Sequence, residues 1–273
     1  MLAIPRMART TRPTRVVRAK LWAMRNYTQA MLRRPLQALS FVLFDPELDN
    51  YTYALANVGQ LSAFLAATFR LDQGRVDAYL DEIEHDAALR EMLNARLRLR
   101  PDRKPVALYG RRIGWYALVR AFQPAVIVET GVHDGLGSSV LLRAIQRNHA
   151  EGGAGRLYGI DINPHAGWLI PDRLREHLTL IIEDSATALP RLTQRERVDL
   201  LIHDSDHSYA HELKEFELVA DGLSADGIIL SDNAHATTAL RDFSAQRDRV
   251  YSFWKEQPKA HFYPGAGIGV SVR

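Results

Sequence analysis

The sequence predicts an α/β fold with a seven-stranded, mostly parallel sheet, preceded by a helical N-terminal region. From about residue 108, short apolar β-branched runs alternate with segments of helical periodicity. Short connections between such elements favour a parallel sheet with helices on both faces. The last two strand segments are joined only by residues 257–265, without a helix, so they should form a hairpin in which one strand runs antiparallel.

The predicted elements follow one another in a regular order. Strands are predicted at 125–130, 156–161, 178–182, 198–203, 226–231, 249–255 and 266–272. Helices are predicted at 111–122, 137–148, 186–191, 208–221 and 236–246, with a loop and a short helix ending near 176. This alternation assigns residues 105–273 to the main, ligand-binding domain.

The first hundred residues are predicted to be a separate, mostly helical extension or lid. Residues 1–13 are expected to be a disordered basic arm, and residues 14–104 the helical part. Within it, helices are predicted at about 14–32, 54–70 and 74–97, and an apolar nonamer occupies residues 36–44. The boundary is placed in the basic linker 96–104, which is rich in arginine and contains proline.

Composition limits the class of protein. There are no cysteines, which excludes a disulfide framework and thiolate metal sites and fits a reducing, cytoplasmic location. No apolar run approaches the roughly 20 residues needed to cross a bilayer, and no secretory signal is expected.

Charge is distributed unevenly along the chain. Residues 1–44 hold nine of the 35 basic residues and no acid, so the remainder has 26 basic and 32 acidic residues. Peripheral contact with a membrane is one interpretation of this segment, and a solvated terminus is the other. The apolar nonamer either dips into a membrane surface or, as we prefer, packs on the body or on a second subunit of a homo-oligomer. Nucleic acid is not expected as a partner, because the body lacks aromatic residues interleaved with basic ones.

Residues 126–139 are the stretch around which the domain is organised. An apolar strand leads through glycines at 131, 135 and 137 into a helix, as in the first half of a nucleotide-binding βαβ unit. The spacing does not fit the Gly-x-Gly-x-x-Gly pattern of dinucleotide sites. Glu129 at the strand end would disfavour a pyrophosphate and would suit a ligand that carries an ammonium group.

Acidic residues follow all five of the first predicted strands. They are Glu129, Asp161, Glu183 with Asp184, Asp204 with Asp206, and Asp232. Ser185 directly follows Asp184. One such acid is often a helix cap, but five at one edge of a sheet are hard to explain in that way. The set suits S-adenosylmethionine (SAM): Glu129 would bind the ammonium group and Asp161 the ribose hydroxyls. Asp184 and Ser185 would lie near the adenine edge.

The pattern Glu129-x-Gly131-x-x-x-Gly135, followed by Ser138, resembles motif I of class I SAM-dependent methyltransferases, whose fold is Rossmann-like. It is most similar to the variant in catechol-type O-methyltransferases and in the macrocin/mycinamicin sugar O-methyltransferases. Both groups are related to cephalosporin-hydroxylase-like proteins. The resemblance covers roughly residues 108–273.

The resemblance implies which residues carry the chemistry. A divalent metal, usually Mg²⁺, would be held by Asp204, Asp232 and Asn233, and Asp204 would also adjoin the cofactor. Oxygen ligands of this kind suit hard cations. His207 matches the general base of the sugar-modifying branch, where the catechol branch has a lysine. The predicted function is therefore metal-assisted methyl transfer to a hydroxyl of a sugar or another polar natural product.

Two other hypotheses stay open at this point. One is metal-independent methyl transfer to nitrogen or to a carboxylate. The other is a non-catalytic SAM-fold protein that the basic arm recruits to a membrane or to nucleic acid. Arg111 and Arg112 could reach the methionine carboxylate of SAM, although a solvated helix start is the simpler interpretation.

Overall fold

The computed structural model describes residues 12–48 and 51–273 and contains one seven-stranded sheet. The strands are β1 Val126–Thr130, β2 Arg156–Asp161, β3 Leu178–Ile182, β4 Val198–His203, β5 Leu223–Asp232, β6 Val250–Lys255 and β7 Gly267–Val272. Their order across the sheet is β3-β2-β1-β4-β5-β7-β6. Strands β1 to β5 pair in parallel, and β7 runs antiparallel to both β5 and β6. The predicted fold class and its C-terminal hairpin are confirmed.

The helices lie at the N-terminal end and between the strands. They are α1 Arg12–Asn26, α2 Thr28–Arg33, α3 Pro35–Phe44, α4 Val58–Phe69, α5 Gln73–Glu84, α6 Ala87–Leu97, α7 Arg112–Phe122, α8 Leu136–Ala150, α9 Ser185–Thr193, α10 Tyr209–Ala220 and α11 Ala239–Gln246. A 3-10 helix, Asp172–His177, precedes β3. Of the arm predicted to be disordered, residues 1–11 lie outside the described residues, and its last two residues belong to α1.

The N-terminal helices differ from their predicted bounds. The helix predicted at 74–97 is two helices, because Asp86 caps a new start: its side chain accepts a hydrogen bond from the backbone of Leu89 and pairs with Arg143. The helix predicted from residue 54 begins at Val58. The residues before it are extended and hydrogen-bond residues 257–259 of the β6–β7 connection. The helix predicted at 14–32 is interrupted between α1 and α2.

Helices α4 to α6 share a hydrophobic core with the sheet. Leu61 of α4 and Ile83 of α5 are fully buried in the same cluster as Trp115 of α7 and Ile127 of β1. This packing is dense at Leu61, whose methyl groups lie against Gly114 of α7. A second cluster fills the other face of the sheet beneath α9, α10 and α11. Helices α1 to α3 pack through a small cluster of their own that includes Phe41 and Phe262.

No helix among the described residues is both long enough and apolar enough to span a membrane.

We expect Leu61→Ala to lower the free energy of unfolding by about 2–5 kcal/mol, because it removes buried methyl groups from a core that cannot close over the gap. Leu99→Ala is the control, since that leucine is 80% exposed, and it should change stability by less than about 0.5 kcal/mol. Denaturant unfolding followed by circular dichroism measures both. Equal stability of the two variants would contradict a core shared between α4 and the sheet.

Candidate active site

The carboxyl ends of β1 to β5 lie at one edge of the sheet, and those of β1 to β4 border a cleft of about 460 Å³. Five of the predicted cofactor residues line this cleft: Gly131, Asp161, Asp184, Ser185 and Asp204. His133, Asp206 and His211 line it as well. The structure therefore gathers residues from the ends of β1, β2, β3 and β4 around a single space, as expected for ligands of open α/β sheets.

The two motif glycines, Gly131 and Gly135, are required by close packing between loops. Both have left-handed backbone conformations, with φ of 86° and 94°. A side chain at Gly131 would overlap the backbone carbonyl of Asp204, and one at Gly135 would overlap Ile170. The glycines thus hold the loop after β1 against the loop after β4 and the segment before the 3-10 helix.

Glu129 and Ser138 form a buried pair that lies outside the set of cleft-lining residues. The Ser138 hydroxyl donates a hydrogen bond to Glu129 Oε2, and both side chains are almost fully buried. Burial raises the pKa of Glu129 to about 8, although the Ser138 hydrogen bond acts in the opposite direction. The carboxyl group is therefore mostly protonated at neutral pH in this arrangement.

Asp161 and Asp184, the acids predicted to bind the ribose and to adjoin the adenine, already accept backbone hydrogen bonds. Asp161 accepts from the amide of His133 at 2.7 Å and from that of Asn163 at 2.8 Å. Asp184 is the N-cap of α9 and accepts from the Ala186 amide at 2.8 Å. Since a carboxylate has about four acceptor positions, both residues keep capacity for a ligand hydroxyl while fixing their loops.

Asp232 is held by Arg111, which is a contact that the sequence did not predict. Both carboxylate oxygens of Asp232 accept hydrogen bonds from the guanidinium of Arg111, and both side chains are buried. Arg111 also binds Glu256 at 3.0 Å and the Tyr53 hydroxyl at 3.2 Å. Burial alone would raise the pKa of Asp232, but the charge of Arg111 outweighs it and holds the pKa well below its usual range.

The preferred interpretation of Arg111 and Arg112 as a solvated helix start is wrong, because both side chains are largely buried and the Arg111 guanidinium is bound by two buried carboxylates. Arg112 instead extends toward Asp204, with 3.5 Å between its Nη2 and Asp204 Oδ2.

The predicted metal ligands and the predicted base are brought together. His207 Nε2 lies 3.5 Å from Asp204 Oδ1, and the amide nitrogen of Asn233 donates to the same Nε2 at 2.9 Å. Asp204, His207 and Asp232 each offer one ligand atom within 4.8 Å of the others. Asn233 Oδ1 faces Arg111 at 3.3 Å.

Neighbouring acids shift the pKa values of Asp204 and His207. Burial raises the pKa of Asp204, and the neighbouring charge of Asp232 adds to that effect. For His207, burial alone would lower the pKa, but hydrogen bonds to Asp204 and Glu212 and the charges of Asp204 and Asp232 raise it to about 10. These acids therefore favour the protonated ring of His207, whereas the hydrogen bond from the Asn233 amide to Nε2 requires the neutral ring.

Two buried glutamates of α10, Glu212 and Glu215, contact side chains at the carboxyl ends of β1 and β4. Glu215 accepts from Thr130 at the end of β1 at 2.6 Å and contacts His203 Nδ1 at the end of β4 at 2.7 Å. Glu212 lies 3.3 Å from His203 Nε2 and 3.6 Å from His207 Nδ1. Neither glutamate was predicted from the sequence. Their helical spacing with Phe216, on the buried face of α10, was the available signal.

The donor atoms present fit a divalent cation. Asp204 and Asp232 supply carboxylate oxygens and Asn233 an amide oxygen, the ligand types that Mg²⁺ prefers. The bidentate contact with Arg111 uses only part of the acceptor capacity of Asp232. Arg111 is nonetheless a competing cation at the same carboxylate.

Comparison with known proteins gives a family match for the middle of the chain. A family model described as a methyltransferase domain matches residues 128–234, which run from β1 to just beyond β5. A search of curated proteins gave no match.

Solved structures with the same fold include two methyltransferases. The O-methyltransferase TomG from Streptomyces achromogenes, involved in tomaymycin synthesis and solved in complex with SAM, is 17% identical, with a TM-score of 0.51. The alignment covers 69% of this chain and 90% of TomG. The methyltransferase PaMTH1 from Podospora anserina, solved with bound SAH, is 18% identical, with a TM-score of 0.51 and coverage of 73% and 94%.

Between pH 4.5 and 8, we expect the free energy of unfolding of the unchanged protein to fall relative to that of Glu129→Gln. A carboxyl whose pKa is raised by folding ionises first in the unfolded chain, so the unchanged protein loses stability as the pH rises through this range. The variant has no such group. Denaturant unfolding at several pH values measures the difference. Glu217→Gln, at an exposed position of α10, is the control, and a pH-independent difference for Glu129→Gln would contradict the assignment.

Proposed function

We propose that this chain, whose residues 128–234 match a methyltransferase-domain model, is a SAM-dependent enzyme that transfers a methyl group to a hydroxyl of a sugar or another polar natural product. The predicted class I methyltransferase fold is confirmed, and a methyltransferase-domain model matches residues 128–234. The acceptor, the assisting divalent cation and the general base are proposals. The single observation that carries them is the meeting of Asp204, His207, Asp232 and Asn233 beside the cleft.

In this proposal the cleft binds SAM through the predicted residues. Asp161 accepts hydrogen bonds from the ribose hydroxyls, and Asp184 and Ser185 lie along the adenine edge. The loop Gly131–Gly135 and Ser138 shape the end nearest β1. Glu129 is the counter-charge of the methionine ammonium, since a bound cation favours the ionised carboxylate.

His207 is the proposed general base for the acceptor hydroxyl. Asn233 donates to Nε2 in this structure, which requires the lone pair of the neutral ring. Asp204 and Asp232 oppose that form by raising the pKa of His207. A divalent cation bound by Asp204, Asp232 and Asn233 would neutralise these two acids, lower the pKa of an acceptor hydroxyl and orient it. Much of the remaining acceleration would come from holding acceptor and methyl donor in line.

Metal-independent methyl transfer to nitrogen or a carboxylate is a second candidate, and one contact favours it. Arg111 already supplies a positive charge to both oxygens of Asp232. If the guanidinium remains there during turnover, it replaces the cation as the partner of the buried carboxylate. The acidic residues would then serve to bind the acceptor.

The two candidates are separated by cation binding. We expect Mn²⁺ to bind the SAH-loaded protein in a calorimetric titration, and Asp204→Asn to weaken this binding at least about tenfold, because it removes a charged oxygen ligand. Asp221→Asn, at an exposed aspartate on the C-cap of α10, should bind Mn²⁺ as the unchanged protein does. Absence of Mn²⁺ binding in the unchanged protein would contradict the metal-assisted mechanism and leave the second candidate.

The role of His207 is tested by turnover. We expect His207→Ala to lower kcat for SAH formation with a panel of polyhydroxylated acceptors by about 10²–10⁴-fold, the range for loss of a general base. The dissociation constant of SAM should stay within a few-fold, since His207 is not among the cleft-lining residues. His85→Ala, at an exposed position after α5, is the control. An unchanged kcat for His207→Ala would contradict the assignment.

A further inference from the structure

Helix α3 presents an apolar face that no described residue covers. Leu36, Leu39 and Leu43 have helical spacing along one side and are 77%, 56% and 60% exposed. Phe44 at the end of the helix is 79% exposed. These four residues are called the α3 face. Single exposed leucines are ordinary on protein surfaces, whereas several in a row on one helix mark an interaction site.

The opposite side of α3 is firmly seated on the protein. Phe41 is buried, with its ring centroid 4.2 Å from that of Phe262 and 5.5 Å from that of Tyr51. Lys20 of α1 reaches the C-terminal end of α3 and donates to the carbonyl oxygens of Phe41 at 2.9 Å and Asp45 at 2.7 Å. The α3 face is therefore not a surplus of the internal packing, because the helix already has a complete inner face.

The other helices of the same region also carry exposed apolar side chains. Val17 and Leu21 of α1, four residues apart, and Leu32 at the end of α2 are also exposed. Helix α3 is mostly apolar, with Gln37 and Ser40 as its polar residues, and an apolar face left outside a core is typical of an interaction site. With only ten residues, α3 is about half the length of a spanning helix, so it could lie only in the interface of a bilayer.

Charge distinguishes the possible occupants of this surface. The exposed arginines of the region include Arg18, Arg25 and Arg33, and residues 1–44 contain nine basic residues and no acid. A second copy of the chain would bring an equally basic surface to the contact, which like charges disfavour. Anionic lipid headgroups attract the arginines while the acyl chains accept the leucines.

We propose that the α3 face and the exposed arginines of α1 and α2 dock the protein on a membrane that contains anionic phospholipids. This inference does not depend on the methyl acceptor or on the metal.

Co-sedimentation with vesicles tests the proposal on the full chain. We expect the protein to bind vesicles of phosphatidylcholine mixed with phosphatidylglycerol, to bind pure phosphatidylcholine vesicles more weakly, and to be released as salt is raised. The double variant Leu36→Glu/Leu39→Glu should bind the mixed vesicles about tenfold more weakly or worse, because it removes two insertable side chains. Leu99→Glu, at an exposed position after α6, is the matched control and should bind as the unchanged protein does.

Three results would overturn the proposal. One is equal binding by the double variant and the control, with circular dichroism showing both folded. Another is the absence of vesicle binding together with a dimer, seen by analytical ultracentrifugation, that the double variant abolishes. The third is salt-dependent binding to duplex DNA that the double variant retains in full while vesicles are not bound, since the leucines have no role on a phosphate backbone.

Discussion

Burial of carboxylates at the carboxyl edge of the sheet is the constraint on which the rest of this structure depends. An ionised carboxylate removed from water costs several kcal/mol unless it is paired and hydrogen-bonded. Several buried carboxylates among the described residues lie in this region, and they are stabilised in different ways. Glu129 takes the neutral form beside Ser138, Asp232 and Glu256 share Arg111, and Glu212 and Glu215 hold histidines. The strand ends, the start of α7 and the first turns of α10 are fixed to one another by these pairs.

The same constraint connects the candidate chemistry to the N-terminal segment. Arg111 stands between Asp232, at the end of β5, and the pair of Glu256 and Tyr53. Tyr53 belongs to the segment that follows α3, and Glu256 lies just beyond β6. A cation bound at Asp232 would therefore change the charge around Arg111, which also contacts Glu256 and Tyr53. The pKa of His207 also depends on Asp232, together with Asp204 and Glu212.

The sequence was sufficient for the sheet and for the gathering of the acids. Alternating apolar runs predicted all seven strands, because burial on both faces leaves a continuous apolar signal. The resemblance to class I O-methyltransferases implied that Asp204, His207, Asp232 and Asn233 act together, and the shared edge at which parallel strands end brings them close to one another. The break at Asp86 was not predicted because an apolar helical period continues across it. The cap that Asp86 makes with the Leu89 amide and its pairing with Arg143 show why a new helix begins there.

The partners of the acids could not be predicted, because they come from distant parts of the chain. Arg111 and Asp232 are 121 residues apart, and Tyr53 and Glu256 are 203 apart. No local pattern encodes such a pair. The glycines illustrate a related limit: their spacing predicted a cofactor loop, while the contacts of Gly131 and Gly135 show that packing between loops also demands them.

The most direct test of the account is a crystal structure with SAH bound and Mn²⁺ added, measured at the manganese absorption edge. The account predicts SAH in the cleft between Asp161 and Asp204 and an anomalous peak within coordination distance of the Asp204 and Asp232 carboxylates, with the Arg111 contact to Asp232 altered. SAH bound elsewhere, or an Arg111–Asp232 pair unchanged with no anomalous peak beside it, would contradict it.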